Sequence, residues 1–165
     1  MTICILFYSR TGNTREVASI LEKKVKDKKK NVEPIEIQHT KKPGFFKAGR
    51  AAITKKELPI QNTDFDLDKY DLLMVGYPTW AGKPAPYIKT FMSKAENIKD
   101  KKVAFFNTCG GSIEDSKKTF DIIKQDLHNM DLSTTDHFIS LRMKKQKIID
   151  GEQNIDDFVN KIISL

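Results

Sequence analysis

Cysteine is scarce in this chain: 165 residues contain two, Cys4 and Cys109, far apart and without a CxxC pair. That excludes a disulfide framework, and two cysteines with three histidines give no metal-ligand spacing, so no metal is expected. No apolar run approaches the ~20 residues of a membrane span. The opening Met1-Thr2-Ile3-Cys4 has no basic region leading into an apolar stretch and a cleavage site, so a cytoplasmic location without membrane insertion is expected. Glycine is sparse too, eight in all. Neither the GxxxxGK[ST] spacing nor GxGxxG occurs, which excludes a Walker loop and the dinucleotide fingerprint. Acidic residues are outnumbered, 22 against 29 Lys and Arg, for a net charge of +7. Lys23, Lys24, Lys26, Lys28, Lys29 and Lys30 crowd the end of one helical pattern. Basic residues interleaved with aromatics are missing, so these lysines read as a solvated helix end that suits the helix dipole, with no nucleic acid as partner.

What is present is a regular alternation. Apolar runs suited to strands lie at about 2–8, 71–77 and 102–107, with weaker ones at about 32–38 and 136–142. Helical periodicity fills about 13–27, a stretch from near Pro86, about 114–128 and about 153–164. Pro34 marks the second strand as an edge strand. A long connection at 39–63 holds Phe45, Phe46, Gly49, Ala52 and Ile53 at helical spacing, which predicts a short helix over about 44–54. There is no repeat, low-complexity tract or linker, so one domain over 1–165 is expected. Five strands alternating with helices predict an α/β fold, a doubly wound parallel sheet with helices on both faces. Strand order 2-1-3-4-5 suits this number and length of strands.

Three stretches follow strands 1, 3 and 4 at the carboxyl edge, where that order makes them neighbours. The first is Ser9-Arg10-Thr11-Gly12-Asn13-Thr14, in which four of six side chains carry a hydroxyl or an amide at a helix start. Free N–H groups and the positive end of the dipole make such a start a phosphate socket, although a plain β–α turn with a Ser/Thr cap has the same letters. The second, Pro78-Thr79-Trp80-Ala81-Gly82-Lys83-Pro84, holds the chain's single tryptophan. The third, Thr108-Cys109-Gly110-Gly111-Ser112, has two bare glycines that let a flat ligand approach the backbone. Core packing for Trp80 and a simple turn at Gly110-Gly111 are the alternatives. Phosphate, aromatic plane and hydrogen-bonding edge together describe a phosphorylated aromatic ligand.

Ser9–Thr14 resembles the [ST]xTGxT phosphate loop of the flavodoxin family. Gly76–Pro86 and Asn107–Ser112 resemble the second and third flavin loops of its short-chain members. The resemblance spans essentially the whole chain and implies a flavodoxin-like fold, noncovalently bound FMN and electron transfer. Carried over by position, Ser9, Thr11, Gly12, Asn13 and Thr14 hold the phosphate and Arg10 adds positive potential. Pro78, Thr79, Trp80, Ala81 and Gly82 border the ring, and Thr108, Cys109, Gly110 and Gly111 meet its pyrimidine edge. No catalytic side chain is implied. The expected partner is a redox protein, an acidic one given the charge, and the chain itself a monomer or dimer. An FMN-dependent reductase of a quinone or similar planar molecule is the second reading, and a flavin-free basic binding module the third. Three departures stand out: the net positive charge, a third loop without an aromatic, and Ala81 where the family often has glycine. Ala81 is expected to resist a left-handed turn by roughly 1–2 kcal/mol unless Gly82 takes that role.

Overall fold

Along β1 (Thr2–Phe7) successive side chains go to opposite sides of the sheet, and the two sets bury against different helices. Ile3, Ile5 and Phe7 join Val17, Leu21 and Val25 of α1 (Asn13–Asp27) and Phe158, Val159 and Ile162 of α4 (Ile155–Ile163). Cys4 and Leu6 join Ile88, Phe91 and Met92 of α2 (Tyr87–Met92) and Ile123 and Leu127 of α3 (Ile113–His128). A strand covered on both faces has no polar side, which is why Ile3–Phe7 is an unbroken apolar run. The computed structural model describes residues 1–40, 44, 50–51, 53–54, 58–61, 65–99, 101–130 and 132–165.

The remaining strands are β2 (Asn31–Glu36), β3 (Leu72–Trp80), β4 (Lys83–Pro84), β5 (Lys102–Cys109), β6 (Phe138–Lys144) and β7 (Lys147–Asp150). The sheet runs β2-β1-β3-β5-β6-β7, and β4 pairs only with the end of β3. The five strands β2, β1, β3, β5 and β6 are parallel, in the expected 2-1-3-4-5 order once β4 is set aside. Pro34 lies on the edge strand β2. At the centre, Gly76 of β3 pairs with Phe106 of β5. A Cβ at Gly76 would stand 2.1 Å from Phe106 Cζ, so the absent side chain is the space the ring occupies.

Several elements differ from the sequence expectation. The sheet has two further, antiparallel strands, β4 and β7. β3 continues to Trp80 and β5 to Cys109, so Pro78, Thr79, Trp80, Thr108 and Cys109 are strand residues rather than loop residues. Lateral pairing accounts for this: Pro78 lies opposite Thr108, and Cys109 opposite Arg142. The last parallel strand lies at 138–144, and a 3₁₀ turn (Glu152–Asn154) precedes α4. Of the helix expected over 44–54, Phe45, Phe46, Gly49 and Ala52 lie outside the described residues, while Arg50, Ala51 and Ile53 are helical. Among the described residues no helix is long and apolar enough to cross a membrane.

Candidate functional site

The start of α1 is left open by its own sequence. Gly12 is the N-cap, at φ 92°, and supplies no side chain to the first-turn N–H groups. Glu16 is the first residue whose N–H finds a carbonyl, that of Gly12 at 2.9 Å. Ser9, only 5% exposed, accepts the Gly12 N–H on Oγ at 3.2 Å and so braces the turn. The start of α3 is the opposite case. There Ser112 Oγ accepts the Asp115 N–H at 3.1 Å and donates to Asp115 Oδ2 at 2.8 Å, a self-contained cap. The Ser112 hydrogen bond holds the Asp115 carboxyl below its usual range, with Lys118 reinforcing it. One helix end is closed by its own side chains; the other presents its N–H groups and the positive end of its dipole outward.

Buried hydrogen bonds tie the expected stretches together. Thr14 Oγ1 and Thr108 Oγ1 are 2.8 Å apart, joining the first to β5 across 94 positions of sequence. Asn107, fully buried in β5, donates through Nδ2 to Thr79 Oγ1 at 3.1 Å and to Thr119 Oγ1 at 2.9 Å. The second stretch is thereby fixed to β5 and α3. Thr108 makes its contact with Thr14 from within β5 rather than from a loop. Cys109 is buried as well, with Sγ 3.6 Å from the Gly111 and Ser112 carbonyls. Burial pushes its thiol upward, partly offset by hydrogen bonds to Ser116 and Ser140.

Residues 78–84 form a hairpin in which Trp80 pairs with Lys83 across a two-residue turn. Both turn residues are left-handed, Ala81 at φ 48° and Gly82 at φ 73°. The role expected for Ala81 or Gly82 is therefore shared by both. Trp80 is half-buried and meets Tyr8 edge to face at 5.6 Å and Tyr87 at 6.1 Å. Tyr8 and Tyr87 lie 4.2 Å apart, and His39 flanks Tyr8 at 5.8 Å. The indole thus packs against the core through these two rings. Among the described residues the buried Tyr8 hydroxyl has no hydrogen bond of ordinary geometry, and burial, followed by Tyr87, pushes its titration upward.

Gly110 and Gly111 are exposed, at φ values any residue adopts, and a Cβ on either would meet nothing within 4 Å. No protein neighbour within 4 Å calls for glycine at either position. Arg10 and Asn13 are half-buried and Thr11 is exposed. Tyr8 and Tyr87 are absent from the site expected from sequence because a buried aromatic beside an apolar run has the signature of core, and the half-buried His39 carries no motif. Gln146 is also absent from that expected site, and its N–H donates to Asn13 Oδ1 at 2.9 Å. Among the described residues no cluster of His, Cys, Asp and Glu could hold a metal.

A family model described as flavodoxin matches residues 2–155. No curated protein matches the chain significantly. Among solved structures, a flavoprotein in complex with FMN from Lactobacillus acidophilus NCFM is similar at 23% identity and a TM-score of 0.72, covering 95% of this chain and 97% of that one. Oxidised flavodoxin 2 from Bacillus cereus is similar at 17% identity and a TM-score of 0.61, covering 99% of this chain and 97% of that one. At these identities the likeness is one of fold.

Proposed function

This chain belongs to the flavodoxin family, and from that premise we propose that it binds one FMN in the crevice above β1, β3 and β5 and serves as an electron carrier. The observation that carries the reading is the uncapped start of α1, flanked by the side chains of Ser9, Asn13 and Thr14. The donor set fits the group. N–H groups and hydroxyls suit a phosphate, which accepts hydrogen bonds, and a helix dipole adds favourable charge. The bare, exposed backbone of Gly110 and Gly111 leaves room for a planar ring system, and the half-buried Trp80 offers an aromatic surface. When bound, FMN supplies the redox chemistry, one electron or two at a time. The chain's own residues bind and orient it: Ser9 by holding the Gly12 turn, Thr14 and Thr108 by locking the first stretch to β5, and Asn107 by holding Thr79.

The same open glycines favour a second reading, an FMN-dependent reductase of a quinone or similar planar substrate, since no side chain there covers the ring. An acidic redox partner suits the +7 charge, and the two unpaired cysteines suit the cytoplasm. The deciding experiment is turnover of NADH or NADPH with a quinone by the FMN-loaded protein alone. A carrier gives background rates until a separate flavin reductase is added, and a reductase turns over without one.

A further inference from the structure

We infer that the β6–β7 hairpin is part of the phosphate site and that Gln146 at its tip is the residue that positions Asn13; this rests on the FMN reading above. Gln146 donates its backbone N–H to Asn13 Oδ1 at 2.9 Å across 133 positions of sequence. A backbone N–H can be met only by an acceptor, so the bond fixes which end of the Asn13 carboxamide faces the hairpin. The oxygen is committed there, and Nδ2, with its two protons, is left for the crevice. A phosphate takes hydrogen bonds and gives none when ionised, so this is the orientation that serves it. With the amide reversed, Asn13 would offer an acceptor to an acceptor.

The hairpin is fitted to this place. Gln146 Nε2 also donates to the Thr11 carbonyl at 3.4 Å. A Cβ at Gly12 would stand 2.9 Å from Gln146 Cδ and Nε2, so the end of this side chain rests against the Gly12 turn, whose glycine is called for by its φ of 92°. The hairpin turn itself uses Lys145 at φ 48° and Gln146 at φ 62°, where Asn-Gly would be the unstrained choice. Its conformation is held instead by the contacts to Thr11 and Asn13. Lys144, Lys145 and Lys147, all exposed, bring positive charge to the same end of the sheet.

The test titrates apo-protein with FMN and with riboflavin, reading flavin fluorescence, in the wild type and three variants. Asn13→Asp keeps an acceptor for the Gln146 N–H, removes the donor and sets a negative charge against the phosphate, so the tip replacement, which adds no charge of that sign, carries the test of positioning. The second variant replaces Lys145 and Gln146 by Gly-Asn-Gly-Ser and so moves the tip. The third, Lys145→Gln, removes only the charge. Asn13→Asp and the tip replacement are each expected to weaken FMN about tenfold or more while riboflavin changes by less than about twofold. Lys145→Gln is expected to weaken FMN less than the tip replacement does. Equal effects on FMN and riboflavin, an unchanged FMN affinity in either of the first two variants, or a full loss from Lys145→Gln alone would overturn the positioning role. Wild-type protein that binds riboflavin as tightly as FMN, or binds neither, would overturn the FMN reading and the hairpin's role with it.

Discussion

Ala81 is an alanine in a left-handed turn, and replacing it with glycine is expected to make the protein more stable. The side chain is exposed, so little packing is lost. The left-handed conformation at φ 48° sets Cβ against the following carbonyl, at a cost of roughly 1–2 kcal/mol that glycine does not bear. Glycine in turn loses about 0.5–1 kcal/mol more backbone entropy on folding. The difference predicts a net stabilisation of about 0.5–1 kcal/mol for Ala81→Gly. Gly82 supplies the reciprocal control: it has the same handedness at φ 73° and open space around a new Cβ, so Gly82→Ala introduces strain without a clash. That variant is expected to be destabilised by about 1 kcal/mol. Urea unfolding of both variants as apo-protein measures this, with the midpoint moving and the slope unchanged. A destabilised Ala81→Gly, or a neutral Gly82→Ala, would show that the hairpin does not turn through these two residues.

Gly76→Ala drives a methyl into the ring of Phe106, which is fully buried, and is expected to lower stability by about 1–3 kcal/mol in a urea melt, with partial recovery in Gly76→Ala/Phe106→Leu. Thr108→Val leaves the buried Thr14 hydroxyl without its partner and is expected to cost about 1–3 kcal/mol, most of it restored in Thr14→Val/Thr108→Val. Burial pushes the Cys4 thiol from an ordinary 9.0 up to about 12, with Glu33 adding to it. The unfolded chain then releases this proton first, so stability should fall as pH rises from 9.0 toward about 12, and Cys4→Ala should flatten that slope in pH-dependent unfolding.

The sheet was legible in the sequence for a physical reason. Strands buried on both faces, such as Ile3–Phe7 and Leu72–Tyr77, have no polar side and stand out as continuous runs, and α1 shows its buried face at helical spacing. β7 is four residues, Lys147–Asp150, only one of them even half-buried, and is entered through Lys145-Gln146, which carries no turn signal. The hairpin at 78–84 reads as loop because Pro78 and Pro84 bracket Ala81-Gly82, whereas pairing between Trp80 and Lys83 makes it strand. The candidate phosphate stretch, 9–14, stands out in the sequence as a cluster of hydroxyls and an amide after an apolar run. The groups that brace it do not, because Thr108, Asn107 and Gln146 reach it only through contacts between distant parts of the chain.

The central claim is that the uncapped start of α1 binds the phosphate of a flavin mononucleotide. Calorimetric titration of the apo-protein tests it directly. The account predicts one FMN per chain and a riboflavin affinity lower by about 100-fold or more, since each lost charge-assisted hydrogen bond contributes roughly 1.5–3 kcal/mol. Equal affinities for the two flavins, or no heat with either, would contradict it.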